Sequence, residues 1–223
     1  MRGLAETFFN VPVVEKYAPA LLSGFAVTLE LAGGVIALGI VLGLALALVR
    51  AFRFRVVNWL IVAFVDVFRT LPQLVVMVFA YFGLPYAGLT VSAFTAATLG
   101  LGLVLAAFAE EAFWAAITAI PRGQWEAARS TGLGFAQTLW SVVMPQAIRI
   151  AIPLLTNRTI AITKGTALAS VISVPEILDK AQSAMSISAN ASPLIAGAAL
   201  YLAIFAPLVV FSRWLERRFG WTV

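Results

Sequence analysis

From Leu21 to Val49 the only charged residue is Glu30, and no other feature restricts the folding of this chain as much. An apolar run of that length can cross a hydrocarbon core of about 30 Å with tilt to spare. In lipid every backbone N–H and C=O must be satisfied within the segment, so such a run is a helix. Composition makes the same demand of the whole chain. With 62% hydrophobic and 11% charged residues and a mean hydropathy of +0.99, there is too little polar surface to cover a globular core in water. The expectation is an all-α integral membrane protein, a single domain over 1–223 with a lead-in at 1–20 and a transmembrane core at 21–218.

Further apolar runs set the number of spans. The second is expected from about Val56 to Phe82, interrupted by Asp66, Arg69, Thr70 and Pro72, and the third from about Thr90 to Pro121, carrying Glu110 and Glu111. The fourth runs from about Gln146 into the Leu168–Val174 region, and the fifth from about Leu194 to Phe211. Pro175 to Pro193 reads as an outer loop with room for a short helix. Gly39 and Gly43 form a small-xxx-small pair that suits close helix contact. Arg50, Arg53, Arg55, Arg122, Arg129, Arg149, Arg213, Arg217 and Arg218 all fall on one side of this arrangement, against Arg2, Lys16 and Lys180 on the other. The positive-inside rule then gives five spans with the N-terminus outside and the C-terminus in the cytoplasm. The same rule accounts for the net charge of +5 without any nucleic-acid partner. Met1–Ala20 lacks the basic start, apolar core and cleavage site of a signal peptide, so it is expected to be retained, with Pro12 and Pro19 in a segment along the membrane surface. The absence of Cys and His excludes disulfides and thiolate or imidazole metal sites.

One polar stretch, Gly123 to Pro145, interrupts the apolar runs. Glu126 is expected in the first turn of a short helix, where unpaired N–H groups favour a carboxylate, and Gly132 can end that helix left-handed. Ala127 and Ala128 carry almost no side chain, so another surface can approach the backbone. Pro145 is expected in the first turn of the fourth span, where its missing N–H costs nothing. Such a helix is shaped to dock.

Glu126-Ala127-Ala128, Gly132 and Val142-Val143-Met144-Pro145 resemble the EAA loop of the membrane subunits of bacterial ABC importers. Ser23-Gly24, Val27-Thr28-Leu29-Glu30-Leu31, Phe68-Arg69-Thr70-Leu71-Pro72-Gln73-Leu74, Tyr81-Phe82-Gly83-Leu84-Pro85, Pro145-Gln146-Ala147 and Lys164-Gly165-Thr166-Ala167-Leu168-Ala169-Ser170-Val171-Ile172 are similar to the polar amino acid permease branch, the histidine/glutamine/arginine/opine group. Glu110-Glu111, Trp114 and Gly165 depart from its usual Ala-Glu, Arg and Asp or Asn. The resemblance implies a multi-pass subunit of the bacterial inner membrane whose loop at 121–146 couples it to a dimer of ATP-binding subunits. It also implies a second permease, identical or homologous, an extracytoplasmic solute-binding protein and a small-molecule amino acid substrate. ATP and magnesium would reside in the partner. This chain has no GxxxxGK[ST] phosphate loop, and Lys16, Lys164 and Lys180 follow no glycine. It is therefore read as non-catalytic.

The candidate substrate path comes from depth. At about 1.5 Å per residue, Asp66, Glu110, Glu111 and Arg158 all lie roughly 14–16 Å inside the ends of their helices, near the midplane. Charges there face the bundle interior, pair, or line a watered cavity. Asp66 and Arg69, three apart on one helix, are read as a mutual pair in preference to ligand contacts. Glu110, Glu111 and Lys164 have no partner on their own helix and are read with Thr166 as the path. Two adjacent acids would favour a cationic or neutral substrate side chain over an acidic one. The alternative reading is an ion-gradient-driven carrier or channel using the same carboxylates, for which the docking loop has no use.

Overall fold

The computed structural model describes residues 3–219; Arg2 of the outer charge set and the residues after Phe219 lie outside them. The helices are α1 (Leu4–Phe8), α2 (Val11–Ala51), α3 (Arg55–Thr70), α4 (Gln73–Val78), α5 (Ala93–Ala119), α6 (Arg122–Ser130), α7 (Phe135–Thr138), α8 (Met144–Thr163), α9 (Ile177–Ser188) and α10 (Ser192–Phe219). Among the described residues four helical runs are long and apolar enough to cross a membrane, and α3 with α4 makes a fifth if a bent pair counts as one span.

The second span, expected over Val56–Phe82 with an interruption at Asp66–Pro72, is bent sharply at that interruption. The two helices meet at 109° because Pro72 drives Leu71 out of the helical region, to ψ 136°. The chain continues through a π-helical turn (Phe79–Gly83) and a 3₁₀ turn (Leu84–Ala87). The lead-in is corrected. Asn10 Oδ1 accepts from Val13 N at 3.2 Å, Pro12 occupies the first turn, and α2 then runs unbroken through Pro19. Residues 11–20 are thus the first turns of the spanning helix. The short α1 stretch is tied to the α9–α10 turn: Asn190 Nδ2 donates to Glu6 O at 2.8 Å, and Asn10 N donates to Ser192 Oγ at 2.8 Å.

The fourth span starts earlier than expected. It is continuous from Phe135 to Ile172, so Pro145 opens α8 but not the span. Having no N–H, Pro145 cannot close a bond to the C=O four residues back. A π-helical turn at Leu139–Val143 precedes it, with Met144 N bonding Leu139 O, and this wider turn accommodates the ring. At its other end the span tightens into a 3₁₀ segment, Lys164–Ile172.

α5 is the centre of the bundle, with apolar clusters packed on both of its halves. α2 lies parallel beside it, Gly34 meeting Thr98, Gly39 meeting Leu105 and Gly43 meeting Ala109. A Cβ at Gly43 would come within 2.5 Å of Ala109 Cβ and 2.7 Å of Ala106 O, so this approach requires glycine. Where lipid removes the hydrophobic drive between helices, such small-residue packing is what holds them.

Candidate functional site

Two groups of predicted residues are brought together, one at the α6 end of the bundle and one midway along it. Ile120 leaves α5 in extended geometry and Pro121 caps α6. Glu126 falls in the second turn of α6, not the first, since the helix starts at Arg122; the charge–dipole argument for it therefore lapses. Glu126 and Ala127 are exposed, whereas Ala128 is buried against the rest of the chain. Only one of the two alanines is thus free to meet a partner.

The end of α6 is as expected. Gly132 takes φ +88°, its N–H bonds Arg129 O at 3.0 Å, and Thr131 Oγ1 donates to Ala128 O at 2.7 Å. The sequence reading missed what holds the helix in place. Trp125 stacks on Phe135 with centroids 5.6 Å apart, and Phe135 meets Phe52 edge-on at 5.4 Å. These three rings join α6, α7 and the end of α2. Beneath α6 a cavity of ≈ 450 Å³ is lined by Arg53, Arg122 and Arg129 with Glu126 as the one carboxylate. Pro145 is exposed at the start of α8, and Gln146 Nε2 reaches Gln124 Oε1 at 3.5 Å.

Midway along the bundle Glu110 and Glu111 part company. Adjacent helical residues point about 100° apart, so they cannot share a surface. Glu110 is fully buried and accepts from Arg50 Nη1 at 2.9 and 3.1 Å through its two oxygens. Arg50 also lies over the Trp114 ring at 4.6 Å. Glu110 is thereby removed from the open path, and Arg50, read from sequence as a loop charge, points back into the bundle. Side chains tilt toward the helix N-terminus, which allows this.

Glu111 is half exposed and accepts from Arg69 Nη1 at 2.6 Å. The expected Asp66–Arg69 pair is therefore not formed; Arg69 is turned to α5 instead. Both Arg69 and Arg158 lie over Phe108, at 5.4 and 4.9 Å. Phe108 and Glu111, three apart, share one face of α5, a spacing that could have flagged the ring. Asp66 and Lys164 are exposed, and neither has an ion-pair partner among the described residues. Thr166 is buried with Oγ1 unpartnered. A Cβ at Gly165 would collide with Gln73 Oε1, so the break between α3 and α4 sits against the break at the end of α8. With Glu110 neutralised internally, the open layer carries Asp66 and Glu111 against Arg69, Arg158 and Lys164. The excess of acid expected from the sequence is not there. Among the described residues no group of three acidic side chains is placed to hold a metal ion.

Residues 39–221 match the family described as binding-protein-dependent transport system inner membrane component. The chain is 34% identical over 216 residues to the probable amino-acid ABC transporter permease protein YckA of Bacillus subtilis (strain 168), covering 96% of each chain. It is 33% identical to the probable glutamine ABC transporter permease protein GlnM of the same organism, over 94% of this chain and 97% of the other. A crystal structure of an amino acid ABC transporter with histidines superposes with TM-score 0.82 at 32% identity, covering 92% of this chain and 96% of that one. The MetNI methionine ABC transporter shares the fold, with TM-score 0.68 at 19% identity. With its bundle of spans, its α6 loop and these relatives, the chain belongs to the binding-protein-dependent transport inner membrane family, as a permease subunit of an ABC transporter.

Proposed function

We propose that this subunit forms the translocation path for a polar amino acid delivered by an extracytoplasmic binding protein, and that it is driven by a separate ATPase docked on α6. The observation that carries this reading is α6 itself: a short exposed helix, ended left-handed at Gly132 and fixed by the Trp125–Phe135–Phe52 rings to the rest of the bundle. A partner that moves α6 moves α2 and α7 with it. Glu126, Ala127 and Gly132 present the docking face, Ala128 seats it, and Pro145 sets the start of the following helix.

The substrate reading rests on the open layer. Two broken helices meet at Gln73 and Gly165, and irregular backbone at membrane depth is tolerated only inside protein or along a watered cavity. Asp66, Arg69, Glu111, Lys164 and Arg158 are all exposed or half exposed in the single chain, as expected of groups facing a path completed by a second permease, identical or homologous. Both signs of charge are present, which suits the ammonium and carboxylate of a zwitterion. Relatives named for glutamine, arginine and cystine transport support the amino acid class. The chain is read as one transmembrane domain with its α6 loop and C-terminus in the cytoplasm, from the arginine asymmetry.

The test is reconstitution of the permease with its ATP-binding subunit and binding protein in liposomes. ATP-dependent uptake of a polar amino acid that survives an uncoupler is the expected result. Uptake driven by an ion gradient without ATP would overturn the reading.

A further inference from the structure

Away from the open layer, α8 and α10 leave a crevice that the transport reading does not use. On α8 the residues Arg149, Ile152, Thr156 and Thr159 recur at three- and four-residue spacing and so share one face. On α10 the residues Leu208, Phe211, Leu215 and Arg218 do the same. The two stripes line a pair of adjoining cavities. The first, ≈ 690 Å³ at the α6 end, is lined by Arg149 and Arg218 with the amides of Gln124 and Gln146. The second, ≈ 310 Å³, is lined on the α8 and α10 sides by Ile152, Thr156, Thr159, Leu208, Phe211 and Leu215, and is closed behind by Ile36 and Ile40 of α2. Only three residues on each helix, about 4.5 Å of rise, separate the basic cavity from the apolar one.

We propose that this crevice binds one anionic phospholipid of the leaflet on the α6 side, its phosphate between Arg149 and Arg218 and an acyl chain along the Thr156–Thr159 groove. Charge complementarity decides the occupant. Both arginines are exposed, and among the described residues neither makes an ion pair. Glu216, the carboxylate nearest in sequence, lines neither cavity and accepts from Asn157 Nδ2 at 2.8 Å and Ser212 Oγ at 3.2 Å. Two guanidiniums with the Gln124 amide N–H form a donor set matched to phosphate oxygens, the Gln146 Nε2 being spent on Val142 O at 2.7 Å and Gln124 Oε1 at 3.5 Å. Basic pockets between helices at this membrane level are the places where acidic headgroups bind. A soluble phosphate would satisfy the donors but leave the apolar groove without an occupant. Two of the three Thr hydroxyls along that groove are spent on the helix itself, Thr156 Oγ1 on Ile152 O at 2.6 Å and Thr163 Oγ1 on Thr159 O at 2.7 Å.

The test uses the full complex with its ATP-binding subunit, purified and exchanged into nanodiscs of phosphatidylcholine with 10% phosphatidylglycerol, and native mass spectrometry of lipid retained after detergent extraction. The double variant Arg149→Gln/Arg218→Gln should lose at least five-fold of the retained phosphatidylglycerol. Arg217→Gln, an exposed neighbour that lines neither cavity, should lose none. Thr159→Phe, which fills the apolar groove and leaves the arginines intact, should also lower retention at least three-fold. Equal retention in the double variant and in Arg217→Gln overturns the site. Displacement of the lipid by inorganic phosphate, together with unchanged retention in Thr159→Phe, overturns the lipid and leaves a phosphate site. A double variant too unstable to purify is replaced by Arg149→Lys/Arg218→Lys, which keeps charge but loses bidentate geometry and should weaken retention at least two-fold; unchanged retention there overturns the guanidinium assignment.

Discussion

Arg50 Nη1 lies 2.9 Å from one Glu110 oxygen and 3.1 Å from the other, joining the last turn of α2 to the middle of α5. The carboxylate is fully buried and the arginine 20% exposed. Removing one partner of such a pair strands the other charge, at a cost of about 3–5 kcal/mol, whereas replacing both with apolar side chains is often neutral. Glu110→Ala is therefore expected to lower the melting temperature of the purified complex sharply, and Arg50→Met/Glu110→Met to recover most of the loss. A double variant as unstable as the single one would show that the pair is not the source of the stability.

At Gly132 a Cβ would meet nothing within 4 Å, so any effect of substitution comes from the backbone. Holding a β-branched residue at φ +88° costs about 1–2 kcal/mol. Gly132→Val should insert normally but bind the ATP-binding subunit less well in co-purification, and Gly132→Asn should lie between it and the native protein. Equal recovery of the ATPase with all three would make this loop an ordinary connector.

Phe135 touches both Trp125 and Phe52, and an aromatic pair contributes about 0.5–1.5 kcal/mol beyond its buried area. Phe135→Leu keeps apolar bulk but loses both ring contacts. The expected outcome is unchanged ATPase binding with reduced stimulation of ATP hydrolysis by the loaded binding protein. Full stimulation would show that the rings are packing alone.

In the open layer, Glu111→Gln and Lys164→Met are expected to change substrate range or uptake rate at saturating binding protein, while leaving membrane abundance intact. Uptake is the deciding measurement. Native rates and range in both variants would place the path elsewhere.

Glu176, between the fourth span and α9, is buried, and burial pushes its carboxyl above the usual range. It accepts from Asp179 N at 2.9 Å and from the Tyr201 hydroxyl. A carboxyl raised on folding contributes stability that is complete below its ordinary pKa of 4.5 and is lost as pH rises through the folded value. Glu176→Gln, which keeps an acceptor for the helix cap without a charge to bury, should shrink the difference in melting temperature between pH 5 and pH 8. An unchanged difference would assign the pH dependence to other groups.

Much of the fold was legible because hydropathy and glycine placement act locally. Leu21–Val49 had to be a spanning helix, and Gly132 had to be where α6 stops. The errors share a different cause. Glu110 and Glu111 look alike in sequence, and only the packing of α2 on α5 separates a buried partner of Arg50 from an exposed partner of Arg69. Ala127 and Ala128 likewise differ only in which one is buried against the rest of the chain. Pro72 was visible, but its consequence, a 109° turn instead of an interrupted straight span, depends on where α4 finds its neighbours.

The register between α2 and α5 also bears on the order in which the protein is made. Sixty positions separate Arg50 from Glu110, and at ~5–20 residues per second a ribosome needs roughly 3–12 s to supply the second after the first. Until α5 is complete the glycine face of α2 lacks part of its packing partner and its terminal guanidinium lacks its carboxylate. A chain stalled anywhere before residue 110 should therefore expose a helix that quality-control proteases can recognise as an orphan.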